Sequence, residues 1–240
     1  MTGGGRGGKY LGTRFDGGWA WLVHLGMSGR FTVGDGGGQA GSAQAGHNSG
    51  WALIAPHDHV LVDIEGGNRL VYNDTRRFGF MDLIAPGKES QCPHFDRMGP
   101  EQLSEAFDST ALSAALRGRK TPIKSALLDQ SVVAGLGNIY VCEALWRSAI
   151  SPRRQAASVP GQRADRLIGA IKAVLADAIE AGGSSLRDYV HADGELGYFQ
   201  HSFDAYDREG QICRKAGCGG TISRIVQSGR STFYCPAHQR

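Results

Sequence analysis

The chain has 240 residues, 41% of them hydrophobic and 20% charged, with a formal net charge of +3. That length holds one large domain or two small ones with a sizeable core. No apolar run approaches the roughly 18 residues that a membrane-spanning helix requires, and no apolar signal segment opens the chain, so the expected setting is the cytoplasm with its five cysteines reduced. The opening MTGGGRGG leads abruptly into Lys9-Tyr10-Leu11. WAWLVHLGMSGRFTV (19–33) reads as a strand, a tight glycine-containing turn and a second strand. GDGGGQAGSAQAGHNSG (34–50) has the composition of a long solvated loop. HVLVDIEGGNRLVYND (59–74) alternates about Gly66-Gly67-Asn68 and predicts a hairpin, and 76–86 adds another strand. The first third is therefore β-rich.

The character then changes. Helical spacing follows Pro100 over 99–116, and KTPIKSALLDQ (120–130) offers Thr121 as a cap with Pro122 in the first turn. A helix over 138–150 opens at Asn138. Over 164–183 Leu167, Ile168, Ile171, Val174 and Leu175 share one face, ending at a glycine pair. SLRDYV predicts a further short helix. Charge is uneven: residues 1–110 carry nine basic against twelve acidic groups, and residues 111–240 carry seventeen against eleven. A basic second half fits a polyanionic partner or a solvated surface equally well.

From about Gly210 the chain is short, cysteine-bearing and strand-like. Cys213-x4-Cys218, then sixteen residues, then Cys235-x2-His238 has the spacing of one tetrahedral structural zinc site. The competing readings are free thiols or a disulfide. His238 is the expected fourth ligand because no cysteine follows Cys235, and Cys92 and Cys142 read as ordinary thiols. Ser228-Gly229 marks a hairpin tip from which Arg230 projects, either into solvent or toward a phosphate. Upstream, Gly135 and Gly137 stand before Asn138. Glycines admit a close backbone approach, and a helix start offers free N–H groups to an anion.

Here the sequence resembles a known family, the bacterial formamidopyrimidine-DNA glycosylases, within the wider group that includes endonuclease VIII. KYL, HLGMSG, HDHV, RRFG, KTPIK, GLGNIY, DGELGYF and GRSTFYC occur in the family's order from Lys9 to Arg240. The resemblance implies an α+β fold. It comprises an incomplete N-terminal β-sandwich (1–86), a helix–two-turn–helix domain (87–209) and a C-terminal zinc-finger hairpin (210–240). It implies a monomer, nucleoid-associated, that binds damaged double-stranded DNA between its domains. Such enzymes flip 8-oxoguanine or a ring-opened purine out of the stack, excise it, and nick the strand by β,δ-elimination. Met27, Arg76 and Phe78 would fill the void left by the flipped base. Asn138 and Tyr140 would bind flanking phosphates, and His57, Arg119, Lys124 and Arg230 would also contact DNA. Lys9 matches the family's proton donor for β-elimination, and Arg230 the arginine of δ-elimination. Cys213, Cys218 and Cys235 match zinc ligands, while His238 stands where the family usually has cysteine.

The family's nucleophile is an N-terminal proline amine next to a glutamate. Neither residue type occurs in MTGGGRGG. Three readings follow: a truncated form of an ordinary glycosylase, a catalytically dead damaged-DNA-binding protein, or a weak lyase using its terminal amine or Lys9. A zinc-finger transcription regulator is the alternative from another class. The truncated form is expected to expose apolar sandwich surface and to aggregate.

Overall fold

The structure is a computed structural model that describes residues 3–35, 55–184 and 197–240. Seven strands among the described residues build the first third as two antiparallel sheets. One holds β1 (Gly3–Gly7), β2 (Tyr10–Arg14), β3 (Ala20–His24) and β7 (Phe80–Ile84), in the order β1-β2-β3-β7. The other holds β4 (Arg30–Asp35), β5 (Asp58–Ile64) and β6 (Asn68–Asn73), in the order β4-β6-β5.

The 59–74 hairpin forms about Gly66 and Gly67, whose φ angles of 98° and 88° only glycine adopts without strain. β5 alternates half-buried and exposed residues along its length, as its sequence period requires. β1 and β2 carry no strand signal in the sequence. Glycine is a poor strand former, yet Gly3–Gly7 pairs with β2 from Gly3↔Arg14 to Gly7↔Tyr10. The ladder, not propensity, makes this strand. Of the loop expected over 34–50, Gly34 and Asp35 instead close β4, and the rest lies outside the described residues.

The two strands of 19–33 do not pair with each other. β3 stays in the first sheet while β4 enters the second, so the Leu25–Gly29 turn crosses between sheets. The 74–79 segment crosses back from β6 to β7 beside it. The structure thus places Met27 and the RRFG motif on two neighbouring crossings.

The helices are α1 (Ser109–Leu116), α2 (Ile123–Leu128), α3 (Asn138–Arg147) and α4 (Gln162–Glu180). α1 is shorter than the spacing after Pro100 predicts, because Asp108 caps it by accepting from the Ala111 N–H at 2.7 Å. Residues 99–101 are drawn instead into pairing with the 130–134 segment. Neither predicted cap of the next helices acts as one. α2 begins after Pro122 while the Thr121 carbonyl takes the Ala156 N–H, and Gly137, not Asn138, is the cap residue of α3. α4 matches its prediction: Leu167, Ile171 and Val174 are fully buried and the helix ends ahead of Gly182-Gly183. SLRDYV lies outside the described residues.

The main core is helical and draws on all four helices, with Phe107, Phe199 and Phe203. The cluster under the first sheet is small: Leu22, Ile84 and Cys92. Buried Glu143 of α3 accepts the backbone N–H groups of Asp204, Ala205 and Tyr206 at 2.7–2.9 Å. It thereby fixes the approach to the last unit, a hairpin of β8 (Ser223–Gln227) and β9 (Arg230–Tyr234).

Candidate nucleic-acid interface

The two crossings are joined by one carboxylate. Asp74 is 1% exposed and accepts from Ser28 Oγ at 2.6 Å, Gly79 N–H at 2.8 Å, Tyr72 Oη at 3.1 Å and Arg76 N–H at 3.3 Å. Burial pushes its carboxyl up, but these four donors outweigh burial and hold it below its ordinary value. Burial, with the Asp74 carboxylate beside it, pushes the Tyr72 phenol up to about 12. Gly79 has to be glycine, since a Cβ there would stand 1.8 Å from Tyr72 Oη. Held in this way, Met27 is 58% and Phe78 62% exposed. Core membership, the ordinary expectation for such residues, is thereby excluded. The Arg76 guanidinium reaches Met27 Sδ at 3.7 Å, and exposed His57 (φ 73°) supplies the carbonyl for the Asp74 N–H at 3.0 Å. Sequence reasoning misses Asp74; its one available signal is its place two residues before RRFG.

A second group gathers from three distant segments. Arg230 stands near enough to Lys9 and to Lys124 to lower the pKa of each, in both cases after the larger effect of burial. Lys9 is exposed as a residue, yet partial burial of its ammonium lowers its pKa. Lys124 is 0% exposed, and its Nζ has no hydrogen-bond partner among the described residues. His24 joins this neighbourhood: burial, then Lys9 and His94, lower its pKa, and its ring stacks on Phe80 at 5.5 Å. It belongs to HLGMSG, so its motif carried a signal.

Asn138 Nδ2 donates to the Ser231 carbonyl at 3.0 Å, next to Arg230. Ser125 and Ser228 meet at 2.9 Å, so the hairpin tip is tied to α2. Tyr140 packs on Phe199 at 5.9 Å. Arg119, expected to contact DNA, also has partners within the protein. Its guanidinium donates to the Ala115 carbonyl at 2.8 Å, Asp129 Oδ2 at 2.8 Å and Ser131 Oγ at 3.5 Å. In this structure it clamps the helical domain.

The Cys213, Cys218 and Cys235 sulfurs lie within 4.8 Å of one another. Gly220 cradles them: a Cβ there would meet Cys235 Sγ at 3.0 Å and Cys218 Sγ at 3.4 Å. Trp146 Nε1–H points at Cys213 Sγ from 3.4 Å. Three converging thiols with a donor aimed at one of them fit a single structural zinc ion. The expectation for His238 requires correction. It does not join the group of donor atoms, because its Nε2 meets the Trp146 carbonyl at 2.9 Å and its ring packs on that indole at 5.1 Å. Cys92 and Cys142 are buried, as expected.

Comparison with known proteins matches three family models in order: the formamidopyrimidine-DNA glycosylase N-terminal domain over 1–81, its H2TH domain over 98–190, and a zinc finger found in FPG and IleRS over 210–237. A formamidopyrimidine-DNA glycosylase of Rhodopseudomonas palustris is 52% identical over 245 residues, covering 100% of this chain and 83% of that protein. The crystal structure of the MutM (Fpg) protein of Thermus thermophilus superposes with a TM-score of 0.83 at 38% identity, covering 98% of this chain and 81% of that one. A structure of MutM in complex with DNA containing carbocyclic 8-oxo-G gives 0.81 at 32% identity, over 99% and 81% of the two chains.

Proposed function

This chain belongs to the family of formamidopyrimidine-DNA glycosylases, and from that premise we propose that it recognises oxidised purines in double-stranded DNA as a base-excision repair glycosylase and abasic-site lyase. The exposed pair Met27 and Phe78, held out of the core by the Asp74 network, carries this reading, and the exposed cations Lys9 and Arg230 support it. Two exposed cations held near each other repel until an anion neutralises them. The phosphates flanking a lesion are such anions. Exposed Met27 and Phe78 replace the stacking that a flipped base gives up, with Arg76 beside them for the orphaned partner base.

Zinc held by Cys213, Cys218 and Cys235 is structural. It fixes the hairpin whose tip presents Arg230. Lys9 and Arg230 hold and move protons in the two elimination steps, and Asn138, Tyr140 and His57 complete the DNA contacts. The working units are 1–86, 87–209 and 210–240, in a monomer acting on chromosomal DNA in the cytoplasm. Among the described residues no helix is long and apolar enough to cross a membrane.

A second reading rests on the wedge and cation groups alone, which suffice for binding. By that reading the chain binds damage without excising it. Two measurements separate the readings. Duplexes containing 8-oxoguanine or an abasic site are expected to bind at least about tenfold tighter than undamaged duplex; equal affinity would overturn both readings. Borohydride trapping then divides them, since a covalent adduct establishes lyase chemistry and tight binding without an adduct establishes the binder.

A further inference from the structure

Lys9 stands at the corner between β1 and β2, and that corner is anchored from outside its own sheet. Gly8 is buried with φ 57°, and a Cβ there would meet Met98 Cε at 2.7 Å and Ala134 Cβ at 3.6 Å. The backbone therefore lies directly against the helical domain. The Gly8 N–H donates to Glu101 Oε1, across 93 residues of sequence. Arg6 Nη1 donates to the Gly8 carbonyl at 2.6 Å and faces Glu101 Oε2 at 3.1 Å. Glu101 is itself fixed. Its backbone bridges Ala134, the Ala134 N–H donates to the Pro100 carbonyl at 2.9 Å, and the Gly99 N–H donates to the Gln130 carbonyl at 2.8 Å. Ala134 leads straight into the Gly135–Asn138 loop.

One side chain thus connects the Lys9 corner to the segment that carries Asn138. We propose that Glu101 is a positioning residue for Lys9: its carboxylate pins the Gly8 corner to the Ala134 segment and so sets where the Lys9 ammonium stands relative to Arg230 and Asn138. Glu101 touches no substrate in this arrangement. Its Oε1 is committed to Gly8, and its Oε2 is buried beside Arg6. The inference rests on the reading of Lys9 as a DNA contact.

The test uses the full chain and a duplex with an uncleavable tetrahydrofuran abasic analogue, titrated between about 50 and 200 mM salt. K9A and E101A are each expected to weaken binding about tenfold and to reduce the salt slope by about one. The double variant is expected to bind no worse than K9A alone, because Glu101 acts through Lys9. E101Q keeps an oxygen of the same reach for the Gly8 N–H and is expected to restore the slope. E101D keeps the charge but falls short, and is expected to resemble E101A. If E101A does not fold, the E101Q–E101D contrast decides the matter. The proposal is overturned if K9A weakens binding while E101A leaves the slope unchanged or adds its full loss to that of K9A. It is equally overturned if E101D binds like the parent and E101Q does not, since charge rather than position would then be at work. If K9A changes neither affinity nor slope, the reading of Lys9 itself falls, and the inference with it.

Discussion

Asp74 illustrates how much a single side chain can hold. Removing it leaves Ser28 Oγ, Tyr72 Oη and the Gly79 N–H without their acceptor in the interior. D74A is therefore expected to cost about 3 kcal/mol in urea melts. The same residue gives a pH dependence. Its folded pKa lies below the ordinary value of 3.8, so its stabilisation is fully present above that value and is lost as pH falls through the lower folded one. Melts of the parent chain are expected to show stability falling below about pH 4, a dependence that D74A flattens. Met27 and Phe78 behave in the opposite way. They bury little in the protein, so M27A and F78A are expected to change stability by less than about 0.5 kcal/mol. Both are expected to reduce the preference for lesion-bearing over undamaged duplex; unchanged preference in competition binding would exclude the wedge role.

The element that most depends on an outside agent is the β8–β9 hairpin. Its cluster holds Trp146, Ala205, Cys213, Ile222, Phe233 and Cys235, too few residues to fold so short a segment unaided. Chelation is expected to release one zinc per chain and to weaken DNA binding more than about tenfold, by the loss of Arg230's contact and of the Ser231 carbonyl that holds Asn138. Far-UV circular dichroism is expected to change little, because α1–α4 share a separate core. Helical signal lost together with the metal would show that the two units are one. The hairpin tip and β9 were legible in the sequence, because turn residues and ligand spacing are local signals. The cap of α3 was not. Asn138 has good capping chemistry, but its amide is drawn to the Ser231 carbonyl, 93 residues away. A long-range partner prevailed over a local one.

Across the whole molecule the buried apolar residues are unevenly shared. Those of the helical region form a continuous core, whereas the first sheet rests on Leu22, Ile84 and Cys92. A cavity of about 520 Å³ lies against that sheet, lined in part by Tyr10, Trp21 and Phe95. Stability is therefore expected to be graded: amides of β1–β7 should exchange at least about tenfold faster than those of α3 and α4, and uniform protection would contradict this. The sequence by itself determined the class of each region, since periods of two and of 3.6, turn glycines and cysteine spacing are all short-range facts. It also marked the residues of the candidate site through short motifs such as HLGMSG and RRFG. The tertiary structure alone decided which of them meet. Gly3–Gly7 became a strand only because β2 offered a ladder, His238 turned to the Trp146 carbonyl, and Arg119 closed on Asp129. Arg230 comes near both Lys9 and Lys124 although it is far from each in sequence. The reason is physical. Propensity and pattern act over a few residues, while ion pairs, ladders and desolvation act between whatever groups the packed chain brings within reach.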